Sequence, residues 1–188
     1  ISWVLERKEQ LGIRILNISV GACSKRGMSE NSALVKGVNR AWDAGLVVVV
    51  AAGNNGPRTM SITTPGISRK VITVGCSDDD REVLVGGNRM VDYSGRGPTA
   101  ACICKPDLVA PGCSVVSCSS RADKYTIKSG TSMSTPIVSG AVALLLERFP
   151  DMSNKDVKLR LRESSVDIVL PRDQQGWGLL NVEKMIGK

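Results

Sequence analysis

Three short segments of the chain rich in Gly and small polar residues are where chemistry could be done. They are Ser19-Val20-Gly21, Ala51-Ala52-Gly53-Asn54-Asn55-Gly56-Pro57 and Ser129-Gly130-Thr131-Ser132-Met133-Ser134-Thr135-Pro136. The first two follow apolar runs that read as strands, and in parallel sheets ligands collect beyond the carboxyl ends of strands. In the third, a Gly-containing turn feeds an apolar helical run, so Ser132 falls at the amino end of a helix. Unpaired N–H groups and the positive end of the dipole there favour a developing anion, which makes Ser132 the candidate nucleophile. Each segment also has a plainer reading. Gly130-Thr131-Ser132 could be a turn and cap, Asn54 a left-handed loop residue beside Gly, and Ala51 to Gly53 tight packing.

A serine nucleophile needs a base, and the chain contains no histidine. Lys128 lies four residues before Ser132, but on a short extended approach its ammonium points to water. No Ser is followed three positions later by Lys, the spacing of a helical Ser–Lys dyad. The chain is therefore not expected to catalyse by itself. The six cysteines, at 23, 76, 102, 104, 113 and 118, match no common zinc spacing and read as free thiols of a reducing compartment, cytoplasmic rather than secreted. Asp78-Asp79-Asp80 reads as an exposed turn, because three consecutive acids on an extended strand cannot all face one ion. No cofactor is required and no metal ligand is assigned; a structural calcium lacks a clear motif.

The elements that must position these residues follow from periodicity. A helix over 2–11 ends at Gly12, a strand covers 13–19, and a polar loop through Gly27 leads to a helix over 29–44 closed by Gly45. The run Leu46 to Ala52 (LVVVVAA) is apolar throughout, as in a parallel strand covered on both faces. Val71 to Gly75 and Val115 to Cys118 have the same look. Segments 54–66 and 86–112 are dense in turn residues, and long loops in compact domains are more often functional than idle. From Ser132 to Phe149 apolar residues leave little polar face, so this helix should lie inside the fold. A last helix opens at Ser153 with Asp156 three positions on, a near capping box, and carries Lys155, Lys158, Arg160 and Arg162 on its wet side. The fold class is α/β, with a mostly parallel sheet flanked by helices on both faces.

With 188 residues and 20.0 kDa the chain is long enough for one domain that buries roughly 70% of its unfolded surface. It has 42% apolar and 23% charged residues, which excludes disorder and fibrous repeats. Its longest nearly apolar window, 137–146, is too short for a membrane helix of roughly 20 residues. The net charge of +7 is scattered among acids, with one Phe, two Tyr and three Trp, so a nucleic-acid-binding module is disfavoured. The chain starts at Ile1 and runs at once into Trp3, Val4 and Leu5, and it reads as a piece of something longer.

In combination the segments resemble the subtilase family of serine peptidases. SGTSMSTPIVSGAVALLL (129–146) is similar to the block around the family's nucleophile, VVVVAAGNNGP (47–57) to its oxyanion block, LNISVG (16–21) to its substrate-pairing strand, and KPDLVAPG (105–112) to a further recurrent block. The blocks keep the family's order across essentially the whole chain, and the opening is similar to the intracellular-type bacterial members. The resemblance implies that residues 1–188 are one partial subtilase catalytic domain whose amino-terminal part is missing. It implies Ser132 as nucleophile and Asn54 as oxyanion donor, with the triad Asp and His upstream. Ser19, Val20 and Gly21 would pair with extended substrate. Ala51, Ala52 and Gly53, with Thr63 near the floor, would bound an uncharged specificity pocket, and Pro65 would follow a cis bond. The expected partner is a peptide or unfolded protein; oligomeric state is not legible. The expected function is that of a serine endopeptidase, and the alternative is a relative that keeps the groove and binds peptides without cutting them.

Overall fold

The computed structural model describes residues 1–22, 30–120 and 124–187. In chain order the elements are α1 (Ser2–Leu11), β1 (Ile15–Ile18), α2 (Ala33–Asp43), β2 (Val47–Ala51), β3 (Ile72–Cys76), β4 (Val83–Val85), β5 (Asn88–Met90) and β6 (Leu108–Ala110). They continue with β7 (Val115–Cys118), β8 (Tyr125–Lys128), α3 (Thr131–Arg148), α4 (Asn154–Ser164), α5 (Arg172–Gln175) and α6 (Val182–Ile186). The main sheet is parallel throughout, in the order β1-β2-β3-β6. All residues of β2, β3 and β6 are buried, and because side chains alternate between faces, both faces of the sheet must be covered. Helix α3 packs against all four strands and α2 packs against β2.

The sequence explains most of these elements locally. Gly12 closes α1 in the left-handed conformation, with φ of 61°. Ser32 caps α2 by accepting from the Val35 N–H, so the helix begins at Ala33 and not near Ser29. Ser29, Gly27 and Cys23 themselves lie outside the described residues. The α2 apolar stripe Val35, Val38, Ala41 and Trp42 is buried, each large side chain contributing about 1.5–3 kcal/mol. Helix α4 opens with a complete capping box between Ser153 and Asp156, and the Asn154 amide donates to the Trp42 and Leu46 carbonyls, pinning α4 to the turn before β2.

Four expectations need correction. Residues 115–118 do not join the parallel sheet; β7 forms an exposed antiparallel hairpin with β8, because three of its four residues face water. Helix α3 is buried on the side of Val138, Ala141, Val142 and Leu145, but Pro136, Gly140, Ala143 and Leu144 lie open along its other flank, with Leu144 48% exposed. Strand β1, the sheet edge among the described residues, is only half-buried and spans Ile15–Ile18, shorter at both ends than the expected 13–19. Lys158 and Arg160 are not on a wet face. Lys158 donates to the carbonyls of Arg69, Lys70 and Val71 and pairs with Asp107, and Arg160 donates to the Met185 and Gly187 carbonyls.

Asp107 organises the base of the sheet. One carboxylate oxygen accepts from the Thr73 N–H at 2.7 Å and from Lys105, whose ammonium also donates to the Val71 carbonyl at 3.0 Å. Lys105 is 1% exposed, and burial pulls its pKa from 10.5 down to about 8 although Asp107 opposes the fall. Between those values the unfolded chain holds the lysine proton more tightly than the folded one, so this group's cost is present in full below pH 8 and is relieved as pH rises towards 10.5. We expect the unfolding free energy of the wild type minus that of Lys105→Met to rise by on the order of a few kcal/mol across this window, measured by denaturant titration. A flat or falling difference would contradict the burial argument.

Candidate active site

The carboxyl ends of β1 and β2 and the start of α3 converge on one cleft of about 410 Å³. Its lining includes Ser19, Val20 and Gly21 from the first segment, Ala51, Gly53 and Asn54 from the second, and Thr131 and Ser132 from the third, with Thr63 opposite. Residues up to 113 apart in sequence touch here: the Ser132 hydroxyl donates to the Ser19 carbonyl at 2.9 Å. Gly130 is the N-cap of α3, so Ser132 sits in the first turn, where backbone N–H groups have no acceptor within the helix.

Thr131 fixes the relation between Asn54 and Ser132. Its N–H and its hydroxyl both donate to Asn54 Oδ1, each at 3.0 Å, while the hydroxyl accepts from the Gly53 N–H at 3.1 Å. With the amide oxygen so engaged, the asparagine presents its NH2 as the remaining donor. Thr131 is completely buried, so its side of these bonds is shielded from water, while Asn54 is half-buried at the cleft. Sequence reasoning passed over Thr131 as part of a turn; its position directly before the serine was the available signal.

The pocket wall is built from close approaches. A Cβ on Gly21 would lie 2.2 Å from Thr63 Oγ1, and one on Gly53 would lie 2.4 Å from Thr63 Cγ2. The Thr63 hydroxyl donates to the Ala52 carbonyl at 3.2 Å, and Ala22 and Thr64 form an antiparallel bridge that closes this side. Ala52 itself does not line the cleft: its side chain packs with Val35, Ile62 and Ile67, because it points to the opposite face of the strand end from Ala51 and Gly53. Thr64–Pro65 is cis, as are Gly56–Pro57, Gly97–Pro98 and Lys105–Pro106.

Other candidate groups lie elsewhere. Lys128 is exposed at the end of β8. The three acids do not form an exposed turn. Asp78 accepts from the Gly112 and Cys113 N–H groups, Asp79 is buried and accepts from the Ser94 N–H, and only Asp80 faces water. Burial pushes the Cys76 thiol far above its ordinary range, which makes it a poor nucleophile.

The profile of the subtilase family matches residues 1–178. The chain belongs to the subtilase family. It is 36% identical to the serine protease AprX of Bacillus subtilis, over 99% of this chain and 46% of that protein. It is 34% identical to subtilisin DY of Bacillus licheniformis, over 95% of this chain and 59% of that protein. Among solved structures, sphericase superposes with a TM-score of 0.78 at 29% identity, covering 96% of this chain and 61% of the other. The chain thus spans about half the length of the curated relatives it matches. No helix among the described residues is long and apolar enough to cross a membrane.

The two glycines facing Thr63 should respond differently to substitution. Gly21→Ala is expected to destabilise by about 1–3 kcal/mol through overpacking and to be largely rescued by Thr63→Ala. Gly53→Ala should not be rescued, because Gly53 also has φ of 97°, a strained conformation for any residue with a Cβ. Thermal denaturation of the two double mutants checks this. Equal rescue in both would show that space alone governs the site.

Proposed function

We propose that this chain is the serine-bearing part of a subtilisin-like endopeptidase that hydrolyses peptide bonds in extended segments of substrate. The observation that carries the reading is the Thr131 bridge, which holds the Asn54 carboxamide and the Ser132 turn at one cleft. In the complete enzyme the Ser132 hydroxyl attacks the peptide carbonyl, an upstream His takes its proton and an upstream Asp orients that His. The Asn54 NH2 and the Ser132 backbone N–H stabilise the oxyanion. Substrate adds a strand along Ser19-Val20-Gly21, which requires an unfolded or loop segment. No cofactor takes part in these steps.

The absence of histidine from all 188 residues supports inactivity of the isolated chain. Its Ser132 hydroxyl is bonded to a carbonyl, which cannot accept a proton as a base would. The second reading, a peptide-binding fragment without cleavage, draws on the same observation. The described cysteines are all free thiols, which supports a reducing, cytoplasmic setting over secretion.

Activity-based labelling separates the readings. The isolated chain should not be labelled at Ser132 by a fluorophosphonate, whereas the longer parent protein should be labelled and should lose both labelling and peptidase activity on Ser132→Ala. Asn54→Ala in the parent should lower kcat by about 10² to 10³, a range known from the oxyanion asparagine of subtilisin itself. A parent that binds peptides but never labels would favour the non-catalytic reading. Labelling of the isolated chain would show a base within these 188 residues.

Cleavage preference follows from the pocket. Ala51, Gly53 and Thr63 carry no charge, so apolar or medium-sized side chains are expected before the scissile bond. A peptide-library profile of the parent dominated by Lys or Arg at that position would overturn this assignment.

A further inference from the structure

Behind the active-site cleft, the end of β3 and the loop after β6 bring together two thiols and a carboxylate from distant parts of the sequence. The ligand atoms of Cys76, Asp78 and Cys113 all lie within 4.8 Å of one another. Cys76 Sγ is 3.1 Å from Asp78 Oδ1, and the Tyr93 hydroxyl lies between the two sulfurs, 3.2 Å from Cys76 and 3.3 Å from Cys113. The residues beside Cys76 pack closely. Ser134 Oγ is buried without any hydrogen-bond partner, and the position of a Cβ on Gly112 would lie 2.3 Å from it and 2.8 Å from Cys76 Sγ. Gly112 thus packs directly on Ser134 Oγ and Cys76 Sγ, at a distance only a residue without Cβ allows.

We propose that Cys76, Cys113 and Asp78 form a binding site for a single zinc ion. Tetrahedral zinc with Zn–S of about 2.3 Å and Zn–O of about 2.0 Å sets its donors about 3.3–3.8 Å apart, a range bracketed by the 3.1 Å between Cys76 and Asp78 and the 4.8 Å limit of the cluster. Two thiolates and one carboxylate around Zn²⁺ leave one negative charge, the same as a Cys3His structural site. Binding releases the two thiol protons to solvent and changes no oxidation state. Cys76 is 1% exposed while Cys113 is half-buried, so the ion enters from the Cys113 side and the fourth position falls to water. The Tyr93 hydroxyl donates to the Gly112 carbonyl at 3.2 Å and stays outside the ligand set.

The site would brace the nucleophile from behind. Asp78 already holds the Gly112 N–H at 2.7 Å, and the Gly112 carbonyl accepts from the N–H of Gly130, the residue that caps α3 two positions before Ser132. A metal at Asp78 and Cys113 therefore tethers Gly112, whose carbonyl in turn holds the Gly130 N–H.

The test loads the reduced full chain with Zn²⁺ or Co²⁺, removes free metal by desalting, and reads metal content by elemental mass spectrometry and thiolate-to-cobalt charge transfer by absorption. The expected result is one ion per chain and a thiolate band that survives Cys102→Ser, Cys104→Ser and Cys118→Ser. Cys113→Ser should weaken zinc by more than about 100-fold, judged against the 10–100-fold typical of outer-shell losses. If that variant does not fold, iodoacetamide mapping of the wild type decides: zinc should protect Cys113, the half-buried thiol of the pair, and leave Cys102 and Cys104 reactive. No retained metal, an unchanged cobalt spectrum in folded Cys113→Ser, absence of protection, or metal-free chain carrying a Cys76–Cys113 disulfide would each overturn the proposal.

Discussion

The candidate site depends on one buried contact, that of Thr131 with Asn54 and Gly53. Asn54 lies just past the end of β2 and Ser132 in the first turn of α3, and neither element by itself determines how the two face each other. The Thr131 hydroxyl, itself fully buried, closes that gap by accepting from Gly53 and donating to Asn54 at the cleft wall. A hydrogen bond in such surroundings is expensive to leave unmade, because both partners would lose their solvation without compensation. The orientation of the asparagine amide is thereby fixed before any substrate arrives, which is what preorganised stabilisation of an oxyanion requires.

Two further constraints hold this contact in place. On one side the sheet, buried on both faces, sets the direction in which β2 delivers Asn54, and α3 lying across all four strands sets where Ser132 starts. On the other, Gly21 and Gly53 allow Thr63 to approach so closely that no Cβ could be added at either position without displacing it. The buried charges of Lys105, Asp107 and Lys158 lie at the opposite end of the sheet, where they satisfy backbone groups of β3 and the preceding turn. Their arrangement is a structural one, distant from the chemistry, and shows that a perturbed lysine need not mark a catalytic centre.

Much of the fold was legible because local rules and global packing agree here. The all-aliphatic LVVVVAA run, the Gly12 cap and the Ser153 capping box each carry a physical signal within a few residues, and each element formed where that signal lies. The errors share a different cause. Lys158, Arg160 and Asp79 were read as surface groups because their types are usually solvated, yet each found backbone partners contributed by remote segments. The β7 run looked like a core strand because a short apolar stretch does not reveal which neighbour it will pair with.

The sequence by itself determined the order of segments, the parallel α/β architecture, the family and the absence of an imidazole from these 188 residues, since all of these reside in residue type and short-range spacing. Only the tertiary structure decided that Ala52 turns into the core, that Thr131 joins Asn54 to the serine-bearing turn, and that Cys76, Asp78 and Cys113 meet. The reason is that these relations join atoms from separate strands and loops, and such distances are set by how the sheet twists and the helices pack, which no window of the sequence contains.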